Sequence, residues 1–141
     1  MILHADRYFE HYYEVKSDLV CINWPTIETI YLPEILHSVS ILVENVVNYN
    51  IRNLLIDASK AELHASQEEA NEVVFLLTNG LAKSRLEKLA RVESKNVNRE
   101  MMLRQMALEM NQRYNYQTRF FQDVDSARKW METDNAFDRE F

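Results

Sequence analysis

The stretch Ile51-Arg-Asn-Leu-Leu-Ile-Asp-Ala58 decides the fold of this chain. Three consecutive apolar residues, Leu54 to Ile56, stand between polar ends, a pattern typical of a central strand that is covered on both faces. The segments before and after it carry helical spacing. A buried strand between two helices predicts an α/β fold with a mainly parallel sheet.

Two helices are predicted around this strand. From Pro33 to Asn48, apolar residues recur at i, i+3, i+4 and i+7, which places them on one stripe of a helix. After the strand, Ser66-Gln-Glu-Glu69 has the pattern of a capping box and predicts a helix over about Gln67 to Asn79. Gly80 is expected to end that helix in the left-handed conformation.

The remaining segments complete an alternating pattern. Tyr8–Val15 and Leu19–Trp24 are rich in aromatic and β-branched residues and predict a hairpin. Residues 96–115 predict a helix, residues 116–122 predict a strand, and a short helix follows Ser126. The segment from Leu86 to Ser94 fits either a helical turn or a short strand.

Composition and length indicate one folded domain over residues 1–133, with a polar tail over residues 134–141. Hydrophobic residues make up 47% of the chain and charged residues 27%, which is typical of a globular protein and not of a disordered one. The single cysteine, Cys21, excludes an internal disulfide and is expected to be buried and inert. Because neither a signal peptide nor a membrane span is evident, we expect a cytoplasmic protein without membrane contact.

The formal net charge is −6, but the segment from Lys83 to Arg104 holds seven basic residues and three acidic ones. Such a segment could bind an anionic partner. The interleaved acids and the acidic overall charge favour a solvated surface of mixed charge instead. We therefore expect no nucleic-acid partner.

Asp57, Ser59 and His64 follow the predicted central strand, at the edge where open parallel sheets usually bind ligands. A carboxylate, a hydroxyl and an imidazole are compatible with a hydrolase, but their spacing matches no nucleophile motif. Hydrogen bonding within a ligand- or partner-facing loop is the favoured interpretation. The only glycine is Gly80 and the four histidines are widely spaced, so we expect no cofactor, no metal site and no catalysis.

Two sets of adaptable side chains are candidates for a binding surface. Four methionines on one predicted helix suit either an irregular core or an interface that can rearrange. Five aromatic residues of the predicted hairpin cannot all point inward on alternating faces, so some could form a dimer or ligand surface. The methionines are Met101, Met102, Met106 and Met110, and the aromatic residues are Tyr8, Phe9, Tyr12, Tyr13 and Trp24.

Three segments resemble a STAS-type domain, the SpoIIAA-like fold of bacterial anti-sigma-factor antagonists, over roughly residues 19–131. They are the strand Leu54-Leu-Ile-Asp-Ala-Ser59, the loop Lys60-Ala-Glu-Leu-His-Ala-Ser66, and the ending Phe120-Phe-Gln-Asp-Val-Asp-Ser-Ala127 with Trp130. The resemblance implies a strand at Leu86–Ser94. It therefore implies a mostly parallel five-stranded sheet in the order β-β-α-β-α-β-α-β-α, with the first strand antiparallel.

The resemblance also implies a modification site. Regulatory members of the family have an apolar strand that ends in aspartate, followed by Asp-Ser-Ser-Gly, whose first serine a partner kinase phosphorylates. Asp57 matches the first aspartate and Ser66 stands at the position of the serine, while the acid before it, the second serine and the glycine are absent. Ser66 is thus a phosphorylation candidate by resemblance, and an N-cap by its own pattern.

Two functions are consistent with these features. The first is a non-catalytic STAS-like regulatory module of unknown pathway that acts through a protein partner or by self-association. The alternative is a carrier or sensor of a small apolar ligand, held in a pocket lined by the methionine-rich helix and the aromatic residues of the hairpin.

Overall fold

The structure is a computed structural model and describes residues 1–133, so the predicted tail over residues 134–141 lies outside the described residues. The strands are β1 (Ile2–Ala5), β2 (Glu10–Glu14), β3 (Leu19–Asn23), β4 (Ile27–Glu28), β5 (Asn53–Asp57), β6 (Leu63–His64), β7 (Lys88–Val92) and β8 (Gln117–Phe121). The helices are α1 (Leu32–Asn48), α2 (Gln67–Leu81), α3 (Val97–Arg113) and α4 (Val124–Met131), with a short 3₁₀ turn over Thr29–Tyr31 before α1.

Six strands form one mixed sheet in the order β1-β2-β3-β5-β7-β8. Strands β3, β5, β7 and β8 are parallel, while β1–β2 and β2–β3 are antiparallel. The α/β class is confirmed. The predicted count of five strands is wrong, because Ile2–Ala5 pairs with β2 as an additional edge strand. The short strands β4 and β6 also form a separate parallel pair.

The central strand β5 divides the core in two. Leu54 and Ile56 face the larger core, which α1 and α2 cover, whereas Leu55 faces a smaller core beneath α4. Helix α3 lies on the same face as α1 and α2, since its Leu103 shares a cleft with Ile56 and with Val74 of α2. Successive side chains of β5 therefore point to opposite faces of the sheet, and both faces are covered, as the continuous apolar run predicts.

The segment Thr29–Asn48 is long and apolar enough to span a membrane by length and composition, contrary to the expectation from sequence. Its apolar stripe packs against the sheet, with Ile35, Val39, Leu42 and Val46 fully buried. Packing into the larger core therefore accounts for the apolar character of α1.

Gly80 does not end α2 in the left-handed conformation, as was predicted, because it lies inside the helix and has a negative φ. Its role is steric. A Cβ atom at this position would lie 2.5 Å from Cγ1 of Val43 on α1. A short, β-branched side chain cannot move aside easily, so the close approach of α1 and α2 requires a residue without Cβ.

We expect Gly80→Ala to lower the free energy of unfolding by about 1 kcal/mol, the net of an overpacking cost of about 1–3 kcal/mol and a helix-propensity gain of up to ~1 kcal/mol. In a Val43→Ala background the clash is gone, so the same change should become neutral or stabilising. Urea denaturation of the four proteins in this double-mutant cycle measures the reversal. An equal effect of Gly80→Ala in both backgrounds would show that Val43 is not the obstacle.

Candidate functional site

An apolar cleft separates α2 from α3 above the sheet. It has about 500 Å³ of empty space, including space open to solvent. Three α2 residues, four α3 residues and several side chains of the sheet line it. They are Val74, Leu77 and Thr78 from α2, Leu103, Met106, Ala107 and Met110 from α3, and Trp24, Ile56, Leu89, Arg91, Thr118 and Phe120 below.

Polar links join the two helices at both ends of this cleft. At one end, Arg99 donates from Nη1 to Oδ1 of Asn71 at 2.6 Å. At the other, the hydroxyl of Tyr114 donates to Oδ1 of Asn79 at 3.1 Å. Asn71 and Asn79 are about 12 Å apart along α2, given a rise of about 1.5 Å per residue. The links hold α3 in place and leave an apolar slot between them.

The methionines divide by position on α3. Met106 and Met110 are half-buried and line the cleft, Met102 is half-buried elsewhere, and Met101 is 54% exposed. Of the two roles that the sequence allows these residues, Met101 therefore does not fill the core. Because Met106 and Met110 are unbranched and flexible, they give the cleft a wall that can change shape.

A second, more polar cleft of about 410 Å³ adjoins the apolar one and shares Trp24, Val74, Arg91 and Leu103 with it. Its other walls include Ser94, Asn96, Arg99 and the loop residues Ala61, Glu62 and Leu63. These segments follow the carboxyl ends of β5 and β7. The recess thus lies at the edge where open parallel sheets usually bind ligands.

An ion pair adjoins this polar recess through Arg91, which lines it. Arg91 donates from Nε and Nη2 to the two carboxylate oxygens of Glu100 at 2.8 and 3.1 Å, and Ser94 donates to Oε2 at 2.6 Å. The side chain of Glu100 is only 3% exposed. Burial would raise the pKa of Glu100, but the hydrogen bonds from Arg91 and Ser94 outweigh it and lower this pKa below its ordinary value. The carboxylate is therefore charged.

Arg99 has a different environment. It is 7% exposed, it hydrogen-bonds to the neutral amide of Asn71, and within residues 1–133 no carboxylate oxygen lies within 4 Å of its guanidinium. Burial and the nearby guanidinium of Arg91 lower the pKa of Arg99 from its ordinary value, and they outweigh the opposite effect of the Glu100 charge. An arginine nevertheless stays charged in proteins, so the recess holds a buried cation without a carboxylate partner.

Asp57 and Ser59 form the predicted loop hydrogen bond, in which the Ser59 N–H donates to Oδ1 of Asp57 at 3.0 Å. His64 is exposed, and its Nε2 lies 3.6 Å from Glu62. No hydrogen bond joins His64 to Asp57 or Ser59 in the described part of the chain. The structure thus brings Asp57 and Ser59 together as an Asx turn and leaves His64 apart.

Ser66 is the N-cap of α2, as its sequence pattern predicts. Its Oγ accepts from the Glu69 N–H at 3.1 Å, and Oε1 of Glu69 accepts from the Ser66 N–H at 3.1 Å and from the Thr29 hydroxyl at 2.9 Å. The capping box is complete. Ser66 is exposed, and its phosphorylation stays a prediction.

The basic segment is not a continuous surface patch. Lys88 and Arg99 are buried, Arg91 pairs with Glu100, and Arg104 pairs with Glu93. Arg91, Arg99 and Glu100 were not singled out from the sequence as site residues. The sequence did contain one sign of this for Arg91. It follows Leu89 by two residues in a strand, so its side chain must lie on the same face of the sheet as the buried Leu89.

The aromatic residues of the hairpin lie mostly inside. Phe9 and Trp24 are buried in edge-to-face contact at 5.9 Å between ring centroids, whereas Tyr12 is 46% exposed. Tyr8 and Tyr13 are half-buried, so the proposed exposed aromatic surface is reduced to Tyr12. Trp24 instead lines both clefts.

Among the described residues, no group of three His, Cys, Asp or Glu side chains could hold a metal ion. Cys21 is half-buried, and burial raises the pKa of its thiol to about 11, which keeps the thiol protonated at neutral pH.

Comparisons with protein-family models, with curated proteins and with solved structures gave no match.

Proposed function

We propose that this protein is a non-catalytic carrier or sensor that binds a small apolar ligand in the cleft between α2 and α3. The observation that carries the proposal is the apolar cleft with Met106 and Met110 in its wall, held open between the Asn71–Arg99 and Asn79–Tyr114 hydrogen bonds. A ligand there would contact Trp24, Met106 and Met110. The sequence-based alternative of a ligand carrier combined the same two kinds of side chain, aromatic residues of the hairpin and methionines of α3.

The chemistry of the lining favours an apolar occupant. A buried water needs several polar partners, and the middle of the slot offers mainly aliphatic, thioether and aromatic groups. Transfer of an apolar chain from water into such a slot is favourable by about 25 cal/mol per Å² of buried apolar surface. The slot therefore binds an apolar chain more favourably than it binds water.

The size of the cleft limits the ligand. The slot lies between two helices that hydrogen bonds join at both of its ends, so a bulky ring system does not fit without movement of α3. A linear chain lying along the slot fits its length of roughly 12 Å and needs only new rotamers of Met106 and Met110. We therefore favour a flexible chain over a fused ring.

A STAS-like regulatory role through protein contacts remains a second proposal for the loop that contains Asp57, Ser59, His64 and Ser66. The parallel arrangement of β3, β5, β7 and β8 with helical connections is compatible with it. The loop lies beside the polar recess, which Ala61 and Leu63 line, so a ligand could alter the surface that a protein partner meets.

Met106→Trp is expected to weaken binding of 1-octanol about 5- to 150-fold, because the indole fills the slot and an overpacked cleft costs about 1–3 kcal/mol. Isothermal titration calorimetry with 1-octanol measures this loss directly. The matched control is Met101→Trp, an equal change on the same helix at a side chain that is 54% exposed.

The control variant should bind 1-octanol as the wild type does. Absence of saturable binding to the wild-type protein would refute the proposed function. Equal weakening by both tryptophan variants would place the ligand outside the cleft.

A further inference from the structure

The polar recess carries an unbalanced positive charge. It holds the guanidinium groups of Arg91 and Arg99, with Glu100 paired to Arg91, while the neighbouring buried carboxylate of Glu93 is paired with Arg104. Glu62 also lines the recess, but its side chain is 72% exposed and is screened by water. The buried charges of the recess therefore sum to about one positive charge.

Arg99 is oriented for a ligand. The oxygen of Asn71 accepts from Nη1, and the guanidinium has five N–H donors in a planar fork that matches a carboxylate. Burial of a cation without a partner is costly, and an anion that binds there removes much of the cost. Arg99 therefore offers a carboxylate suitably arranged N–H donors, and binding of the carboxylate reduces the cost of burying the charge of Arg99.

The recess and the apolar slot are continuous. They share Trp24, Val74, Arg91 and Leu103, and Arg99 also forms the hydrogen bond that closes one end of the slot. A single molecule with an anionic head and an apolar chain can therefore occupy both spaces.

We propose that the ligand is an amphipathic carboxylate whose head pairs with Arg99 and whose chain lies in the slot beside Met106 and Met110. The inference rests on the proposed function and adds the chemical class of the ligand. Asn96 lines the recess, where its side-chain N–H₂ group can donate to the head, since its Oδ1 already accepts from the Arg99 N–H. The carboxylate supplies the negative charge that the described chain does not place beside Arg99.

The test compares three probes of equal chain length with opposite or no charge, namely octanoate, 1-octanol and octylammonium. By calorimetry at neutral pH and low salt, the wild-type protein should bind octanoate about tenfold or more tightly than 1-octanol, as a charge-assisted hydrogen-bond pair requires. Octylammonium should bind more weakly than either. The comparison needs no variant and so does not depend on the folding of one.

Arg99→Gln should remove the preference for octanoate, measured as the ratio of the octanoate and 1-octanol affinities of the same variant. The control is Arg113→Gln, which alters an exposed arginine at the other end of α3 and should keep the preference. Equal binding of all three probes, or a preference for octanoate that survives Arg99→Gln, would overturn the inference and leave the apolar cleft standing. Failure of all three probes to bind would overturn the proposed function itself.

Discussion

Glu100→Gln should lower the free energy of unfolding by about 3–5 kcal/mol, the cost of breaking a buried ion pair by removing one partner. The carboxylate accepts two hydrogen bonds from Arg91 and one from Ser94, and it pairs with Arg91 alone. A neutral amide in its place leaves the largely buried guanidinium of Arg91 without its carboxylate partner. Urea denaturation, with ΔG taken by linear extrapolation, measures the loss.

The control is Glu109→Gln, which removes the same charge from an exposed position of the same helix. A surface change of this kind normally alters stability by less than ~0.5 kcal/mol. If Glu100→Gln costs no more than Glu109→Gln, the buried charge balance described for the recess does not exist.

Acid should begin to destabilise the protein at pH values well above those at which its carboxylates take up protons. His11 is fully buried, and burial, reinforced by the nearby His4, lowers its pKa from 6.5 to about 4. The unfolded chain therefore takes up a proton first as the pH falls. The contribution of His11 to stability is complete at pH values above 6.5, its pKa in the unfolded chain, and is lost as the pH falls towards its pKa of about 4 in the folded protein. The free energy of unfolding should fall by about 2 kcal/mol between roughly pH 7 and pH 5, and by about 3 kcal/mol in total by pH 4.

The surroundings of His11 explain why it stays neutral. Its Nδ1 is paired with the Asn45 amide at 3.0 Å, its Nε2 has no hydrogen-bond partner, and the His4 ring lies 5.0 Å away between ring centroids. Asp6, which favours the charged form, is already engaged by His4 and Ser38. No described group accepts a hydrogen bond from Nε2 of His11.

The matching variant is His11→Asn, whose side-chain oxygen can accept from Asn45 but does not titrate. Unfolding free energies measured from pH 7 to pH 5 should fall for the wild type and stay nearly level for the variant. Carboxylates with lowered pKa values, such as Asp6 and Glu100, act only at lower pH. The same slope for both proteins would refute a buried neutral His11.

Local patterns in the sequence predicted most of the fold because the forces concerned are local. The capping box at Ser66, the apolar stripe of α1 and the continuous apolar run of β5 each follow from residues close in the chain. Strand β1 was missed because it is a four-residue edge strand that is defined by its pairing with β2. The role of Gly80 was predicted wrongly because the side chain that requires a glycine there, that of Val43, lies on another helix.

The candidate site was harder to predict because it depends on contacts between distant elements. The methionines were visible as a helical set, but only the packing of α3 beside α2 separates Met106 and Met110 from Met101. Arg99 looked like an ordinary surface cation. Its burial follows from the contact with Asn71, which precedes it by 28 positions.

The most direct test of the ligand cleft is NMR of the protein labelled with ¹³C at the methionine methyl groups, titrated with octanoate. Its six methionines sample the cleft, the rest of α3, the α4 core and the N-terminus. We predict saturable shifts of the Met106 and Met110 methyl signals, with Met1, Met101 and Met131 unchanged. Saturable shifts confined to Met101 or Met131, or no shift at any methionine, would contradict the cleft as the binding site.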